Sequence, residues 1–361
     1  MGENSINLSQ LTTHKAALRR KLWKAALSVC FLMMTVLTIP PLPAFGQQTT
    51  VLVGSGSSVP LPLYTKWKQE FNKRSPAIQT QYQPIGTNEG LKLIAKGVGD
   101  FSAGEVQLTP QERADGKLTE LPTALIAIVP IYNLPGVHEE LRFNGELLAE
   151  IFLGRVRTWD APSIARLNPN VKLPSLPIKV FYRPAGKGTN YVFTEFLSKT
   201  SPAFKTQIGR SASPAWPVGT PAERSSDMAD KVSKEAGAIG YVEHQYAVQN
   251  QMTYGLVQNP AGKFVKATQA SITAACQAVE APQWDKFAAS LTNVPGVDSF
   301  PITSFTWLYL RTGPADPKRA AALKELLTWM FSDGQQLGSQ LGYSALPAPL
   351  LAKVRAKVAA F

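Results

Sequence analysis

Soft metal ligands are scarce in this chain. Its 361 residues include two cysteines and three histidines. Two cysteines exclude a disulfide framework and any zinc centre built mainly from thiolates. His138 and His244 lie far apart in sequence, without metal-ligand spacing, and read as surface or capping residues. The apolar run Ala25–Ile39 falls short of the ~20 residues a spanning helix needs. No Gly-x4-Gly-Lys-Ser/Thr occurs, which excludes the phosphate loop of nucleotide hydrolases. Gly54-x-Gly56 lacks the third glycine and acidic partner of a dinucleotide site. Internal repeats, heptads and low-complexity tracts are absent, and the 28 prolines are scattered as turn markers. Acidic residues are outnumbered, 25 against 37, for a net charge of +12. That excess alone invites a polyanionic partner. Beyond residue 46, however, no basic run exceeds two residues, so nucleic acid is not expected as a partner.

What is present is a globular composition, 44% hydrophobic and 17% charged, behind an address. Lys15, Arg19, Arg20, Lys21 and Lys24 form a basic start. The apolar run follows, then Pro40-Pro41 and the small-residue site Ala44-Phe45-Gly46. Residues 1–46 thus read as an export signal cleaved near Gly46, with a periplasmic destination. Arg19-Arg20 only loosely resembles a twin-arginine signal. Cys30 lies inside the apolar run after the bulky Val29, which disfavours a lipid anchor. The segment carries five basic residues against Glu3, so +4 of the +12 leaves with it. The remaining 315 residues keep Cys276, which reads as a buried inert thiol.

Strand and helix signals then alternate. Thr50–Val53, Ile78–Tyr82, Ala124–Ile131, Ile178–Tyr182 and Ile302–Leu310 read as strands. Leu63–Phe71, Gly90–Lys96, Asn190–Ser198, Pro317–Phe331 and Pro347–Ala360 read as helices. The alternation implies an α/β class with mostly parallel sheets. Three strand-to-helix loops share one chemistry. They are Gly54-Ser55-Gly56-Ser57-Ser58-Val59-Pro60, Gly86-Thr87-Asn88-Glu89-Gly90 and Arg183-Pro184-Ala185-Gly186-Lys187-Gly188-Thr189-Asn190. Each sets glycine and a hydroxyl before a helix N-terminus, where free N–H groups and the dipole favour an anion. Arg183 adds a planar cation suited to an oxyanion.

These loops resemble those of the PstS-type periplasmic phosphate-binding proteins, the binding subunits of ABC phosphate importers. The resemblance extends through Gly54–Trp67, Tyr82–Gly86, Asp100–Ala103, Ile151–Asp160 and Ala165–Pro169. It continues through Gly186–Thr189 with Val192–Thr194, Trp216–Gly219, Gly237–Glu243 and Pro301–Ser304. It implies a type II two-lobed α/β periplasmic binding protein fold, its lobes joined by hinge strands. Residues 47–128 plus 303–361 would form lobe I and residues 129–302 lobe II, with crossovers near Ala127–Ile131 and Ile302–Leu308. It implies inorganic phosphate as ligand, Ser58, Thr87 and Thr189 as hydroxyl ligands, Val59 and Gly188 as backbone donors, and Arg183 as the charged donor. Ser57 is a neighbour of that set. It also implies a monomer delivering phosphate to an ABC permease and ATPase complex in the inner membrane, with no enzymatic activity, cofactor or metal.

Three positions depart from the family pattern. Glu105 stands where an aspartate usually accepts the phosphate proton, the basis for rejecting proton-free sulfate. Ala185 and Lys187 replace an aspartate and a serine. Counted at those sites, the cleft gains about two positive charges. One reading is compensation, with Lys187 at the rim or paired with Glu105 and phosphate still the ligand. The other is altered selectivity, for a phosphonate, a phosphate ester or sulfate. The loop Thr220–Ser226 departs too, near the cleft mouth. A secreted phosphatase and a phosphate sensor on the same fold are the rival functions; no general base is linked to Ser58 by any motif. Trp159, Trp216 and Tyr241 read as packing residues, and Asp160 and Glu243 as structural.

Overall fold

The computed structural model describes residues 49–280, 284, 287, 289–313 and 316–361. The export signal expected at residues 1–46 lies outside the described residues. Among those described, no helix is long and apolar enough to cross a membrane.

Eleven strands are described: β1 Thr50–Gly56, β2 Ile78–Gln83, β3 Phe101–Gly104, β4 Leu118–Asn133, β5 Arg142–Phe143, β6 Lys179–Tyr182, β7 Thr220–Pro221, β8 Ala238–Glu243, β9 Leu256–Gln258, β10 Phe264–Val265 and β11 Thr303–Arg311. Eight form one sheet in the order β2-β1-β3-β11-β4-β8-β6-β7, and β10-β9-β5 form a small second one. The expected parallel pairing holds on the two flanks, β2-β1-β3 and β8-β6-β7. The centre corrects it: β11 runs antiparallel to β3 and β4, and β4 antiparallel to β8. Crossover helices enforce parallel pairing, and β4 and β11 pass between the flanks instead.

β4 explains how one strand serves both flanks. Leu118–Ala127 pair with β11, and Ile128–Asn133 pair with β8. The run Ala124–Ile131 is buried along its whole length, because both faces of the sheet are covered. Pro122 sits inside this central strand although it has no N–H to give the ladder. It is tolerated because the register slips there, between Thr306 and Trp307. Thr123 falls in the slip, and its hydroxyl donates to the Thr306 carbonyl at 2.9 Å.

The two helices that follow the second and third loops begin earlier than apolar periodicity indicates. The expected Gly90–Lys96 helix is Thr87–Ala95, and the expected Asn190–Ser198 helix is Gly188–Thr200. In both, the first turn consists of small polar residues that carry no apolar signal. Gly86 makes the first entry possible with a φ of 105°, a conformation side chains rarely adopt.

Candidate functional site

Parallel strands deliver their carboxyl ends to one edge of a sheet, and ligands bind there. Ser57 follows β1, Thr87 follows β2, Glu105 follows β3, Arg183 follows β6 and Glu243 closes β8. The site is therefore assembled from five strand ends, three on one flank and two on the other.

The first loop is anchored through its backbone. Ser57 N–H donates to the Ala103 carbonyl at 2.8 Å. The Ser57 hydroxyl accepts from Val59 N–H at 3.1 Å, so the expected backbone donor Val59 is engaged within its own turn. The Tyr82, Tyr246 and Tyr343 hydroxyls donate to the carbonyls of Ser57, Ser58 and Val59 at 2.7, 3.3 and 2.6 Å. Ser58 is half-buried.

The second and third loops touch. Asn88 N–H donates to the Gly186 carbonyl at 3.1 Å. The Thr87 hydroxyl accepts from Gly188 N–H at 3.1 Å and donates to Glu105 Oε2 at 3.2 Å. A Cβ on Gly188 would lie 2.0 Å from that same carboxylate oxygen, so only glycine fits. Thr87, Glu105 and Gly188 are thus brought together. Glu105 is buried, and its Oε1 has no hydrogen-bond partner. Desolvation pushes its carboxyl up to about 8. Contacts with the Ser57 and Thr87 hydroxyls and Arg183 oppose the shift, and the Glu243 charge adds to it.

Arg183 is the one buried Lys or Arg among the described residues, 1% exposed. Its backbone N–H donates to the Tyr241 hydroxyl at 3.0 Å, and Tyr241 in turn donates to Asn190 Oδ1. Asn190 Nδ2 donates to the Arg183 carbonyl at 3.0 Å. Tyr241, expected only to pack, stacks on Phe193 at 4.2 Å and also fixes the arginine's backbone. The guanidinium donates from Nη1 to Ser225 Oγ and from Nη2 to the Glu223 carbonyl, each at 3.0 Å, while Nε is unpartnered. The Thr220–Ser226 stretch, expected at the cleft mouth, is thereby the seat of the arginine.

Of the two places expected for Lys187, the rim and a pairing with Glu105, the second is not taken. The Lys187 ammonium lies 3.6 Å from the carboxylate of Glu223, whose side chain is 68% exposed. Glu243, expected to be structural, is engaged on two sides. It is fully buried, accepts from the Thr189 hydroxyl at 2.6 Å, and stands 4.0 Å from Arg183 Nη1. Ala185, where the resemblance leads one to expect a carboxylate, is exposed. The buried ionisable groups of the site are therefore Glu105, Arg183 and Glu243, and Lys187 stands outside them. Glu243 had one signal in the sequence: it is the acidic residue that ends the apolar strand Ala238–Glu243. Ser225 had none, because it meets Arg183 across 42 residues.

His138 is exposed and His244 buried against Tyr254. Cys276 is buried, and burial pushes its thiol up to about 12, away from reactive thiolate. Among the described residues no group of three or more His, Cys, Asp or Glu is placed to hold a metal.

Residues 43–334 match the PBP superfamily domain. Phosphate-binding protein PstS of Pasteurella multocida is 34% identical over 318 residues, covering 87% of this chain and 91% of that relative. Phosphate-binding protein PstS of Haemophilus influenzae is 33% identical over 323 residues, covering 89% and 96%. Among solved structures, the periplasmic phosphate-binding protein PfluDING, bound with phosphate, aligns with a TM-score of 0.68. It does so over 85% of this chain and 93% of that one at 20% identity. An ABC-type phosphate transport receptor from Vibrio cholerae aligns with a TM-score of 0.57 over 82% and 100%, at 17% identity. The structural likenesses carry the two-lobed periplasmic binding protein fold.

Proposed function

The chain belongs to the PBP superfamily and, within it, to the PstS-type phosphate-binding proteins, and from that premise we propose that it captures inorganic phosphate between two lobes and delivers it to an ABC permease. Lobe I comprises residues 47–128 and 303–361 and lobe II residues 129–302, so that the partner change of β4 after Ala127 falls at the hinge. Residues 1–46 act as the export signal, and the mature protein works as a periplasmic monomer without covalent chemistry.

The contact that supports this reading most is the hydrogen-bonded run from Gly188 N–H through Thr87 Oγ1 to Glu105. It joins a loop of each proposed lobe around a buried acceptor. Dehydrating a phosphate is costly unless its oxygens regain hydrogen bonds. Neutral donors from Ser57, Ser58, Val59, Thr87, Gly188 and Thr189 would supply most of them by exchanging their present contacts, Val59 to Ser57, Gly188 to Thr87, Thr87 to Glu105 and Thr189 to Glu243, for the anion, and Arg183 the charge. Glu105 accepts from a phosphate hydroxyl and so disfavours sulfate, which has no proton to donate. Lys187 contributes backbone, with its ammonium at the rim.

A thermal-shift screen of ligand-free protein with phosphate, sulfate, a phosphonate and a phosphate monoester tests this. A ligand binding only the folded state adds about 2.7 kcal/mol at one hundred times its Kd. Phosphate is expected to give the largest shift. A larger shift with any of the other three overturns the assignment.

A further inference from the structure

Successive carbonyls of the first loop are all engaged. Gly56 accepts from Gly86 N–H at 2.7 Å, and Ser57, Ser58 and Val59 accept from the hydroxyls of Tyr82, Tyr246 and Tyr343. Ser58 also accepts from Leu61 N–H at 3.3 Å, which occupies its second lone pair. In a trans peptide the N–H points opposite to the C=O. A carbonyl held on one side therefore turns the following N–H to the other. That other side is the site itself: Val59 N–H rests on the Ser57 hydroxyl, and this hydroxyl reaches the Glu105 carboxyl. Withdrawing the carbonyls also removes their partial negative charge from the place an anion would occupy.

The three tyrosines come from different parts of the chain. Tyr82 and Tyr343 lie in the residues assigned to lobe I, as the loop does. Tyr246 lies in those assigned to lobe II, on the helix His244–Gln249. The same helix reaches the first lobe twice more, through Gln245 Nε2 to the Val59 carbonyl at 3.5 Å and Gln249 Nε2 to the Leu341 carbonyl at 3.4 Å. Burial keeps the Tyr246 hydroxyl protonated, and the charges of Glu243 and Arg183 both act on it. It is thus a neutral donor between the first loop and the buried charges of the other lobe.

We propose that Tyr246 is a positioning residue of the anion site, fixing the Ser58–Val59 peptide from the opposite lobe so that the first loop's donor set is complete only when the lobes close. This rests on the two-lobed reading and on phosphate as the ligand. Tyr82 is its counterpart, because its hydroxyl travels with the loop and holds the Ser57–Ser58 peptide in open and closed states alike. An open protein meets phosphate with the first peptide already set. Closure sets the second and retains the ion. Tyr246 then governs how long phosphate stays, and not how fast it arrives.

The test follows release of radiolabelled inorganic phosphate from the full mature chain after a chase with unlabelled phosphate, together with the equilibrium affinity. The two give the association rate. Tyr246→Phe keeps the ring and removes the hydroxyl. It is expected to release phosphate about fivefold faster, with association within about twofold of wild type. Tyr82→Phe is expected to lose affinity partly through slower association. Unchanged release from Tyr246→Phe, even with a lowered melting temperature, leaves its hydroxyl merely structural and overturns the inference. A loss carried by association alone overturns it too, as does a Tyr82→Phe loss confined to release. All three leave phosphate as the ligand, whereas no phosphate binding by the wild type overturns the function itself. If Tyr246→Phe does not fold, amide hydrogen exchange of the wild type decides. Phosphate should protect Ser58 and Val59 together with the helix His244–Gln249, and protection of the loop alone overturns the proposal.

Discussion

One loop carries two cations four residues apart, and the structure treats them in opposite ways. Arg183 is buried, held by a serine hydroxyl and a backbone carbonyl, with the buried carboxylate of Glu243 at 4.0 Å. Lys187 reaches the carboxylate of Glu223 at a similar separation, 3.6 Å, but that partner stands mostly in water. Distance alone ranks the second pair ahead. Burial reverses the ranking, because an exposed pair contributes at most about 1 kcal/mol and a buried charge left without its partner costs about 3–5 kcal/mol. The residue that looks like the larger departure from the family pattern is thus the smaller one energetically.

Substitutions can break that contrast. The largest effect is expected from Arg183→Ala, which removes the buried cation and strands Glu243. Phosphate affinity should fall by more than tenfold, and thermal unfolding of the ligand-free protein should move down as well. Calorimetry returning wild-type affinity would refute the role of Arg183. Glu105→Gln comes next. Its carboxyl is raised to about 8, so it holds a proton in the folded state that the unfolded chain releases. The resulting stabilisation is fully present below the ordinary carboxylate range and is lost as pH rises through about 8. Ligand-free wild type should therefore lose melting temperature between about pH 5 and 9, and Glu105→Gln should lack that component. The same variant should discriminate phosphate from sulfate less well. Parallel melting curves, or equal selectivity, would remove Glu105 from its assigned role. Lys187→Ala should do least, about a twofold change in affinity that disappears at physiological salt. A tenfold loss persisting in salt would place the ammonium inside the cleft and erase the contrast.

The sequence made the loops legible because glycine, hydroxyls and a lone arginine at strand-to-helix junctions have a direct physical meaning. It made the strands legible where apolar runs were long, as at Ala124–Ile131. It did not reveal the antiparallel centre of the sheet, because pairing direction is set by which strand lies alongside, and β11 is drawn from residues nearly two hundred positions beyond β4. It did not reveal the seat of Arg183 either. Ser225, Glu223 and Glu243 reach it from 40 to 60 positions away, and nothing local marks them. Side-chain direction at Lys187 was equally hidden, since an N-cap position permits either outcome.

The position of β11 has a temporal side. It lies between β3 and β4, so the first flank of the sheet cannot join the rest until residues 303–311 are present. Non-local pairing of this kind slows folding, because loop closure must precede the contacts that reward it. A chain emerging from synthesis would lack its central strand until nearly its end. Were residues 1–46 to export the chain unfolded, such a delay would keep the polypeptide in a form that can still pass a membrane.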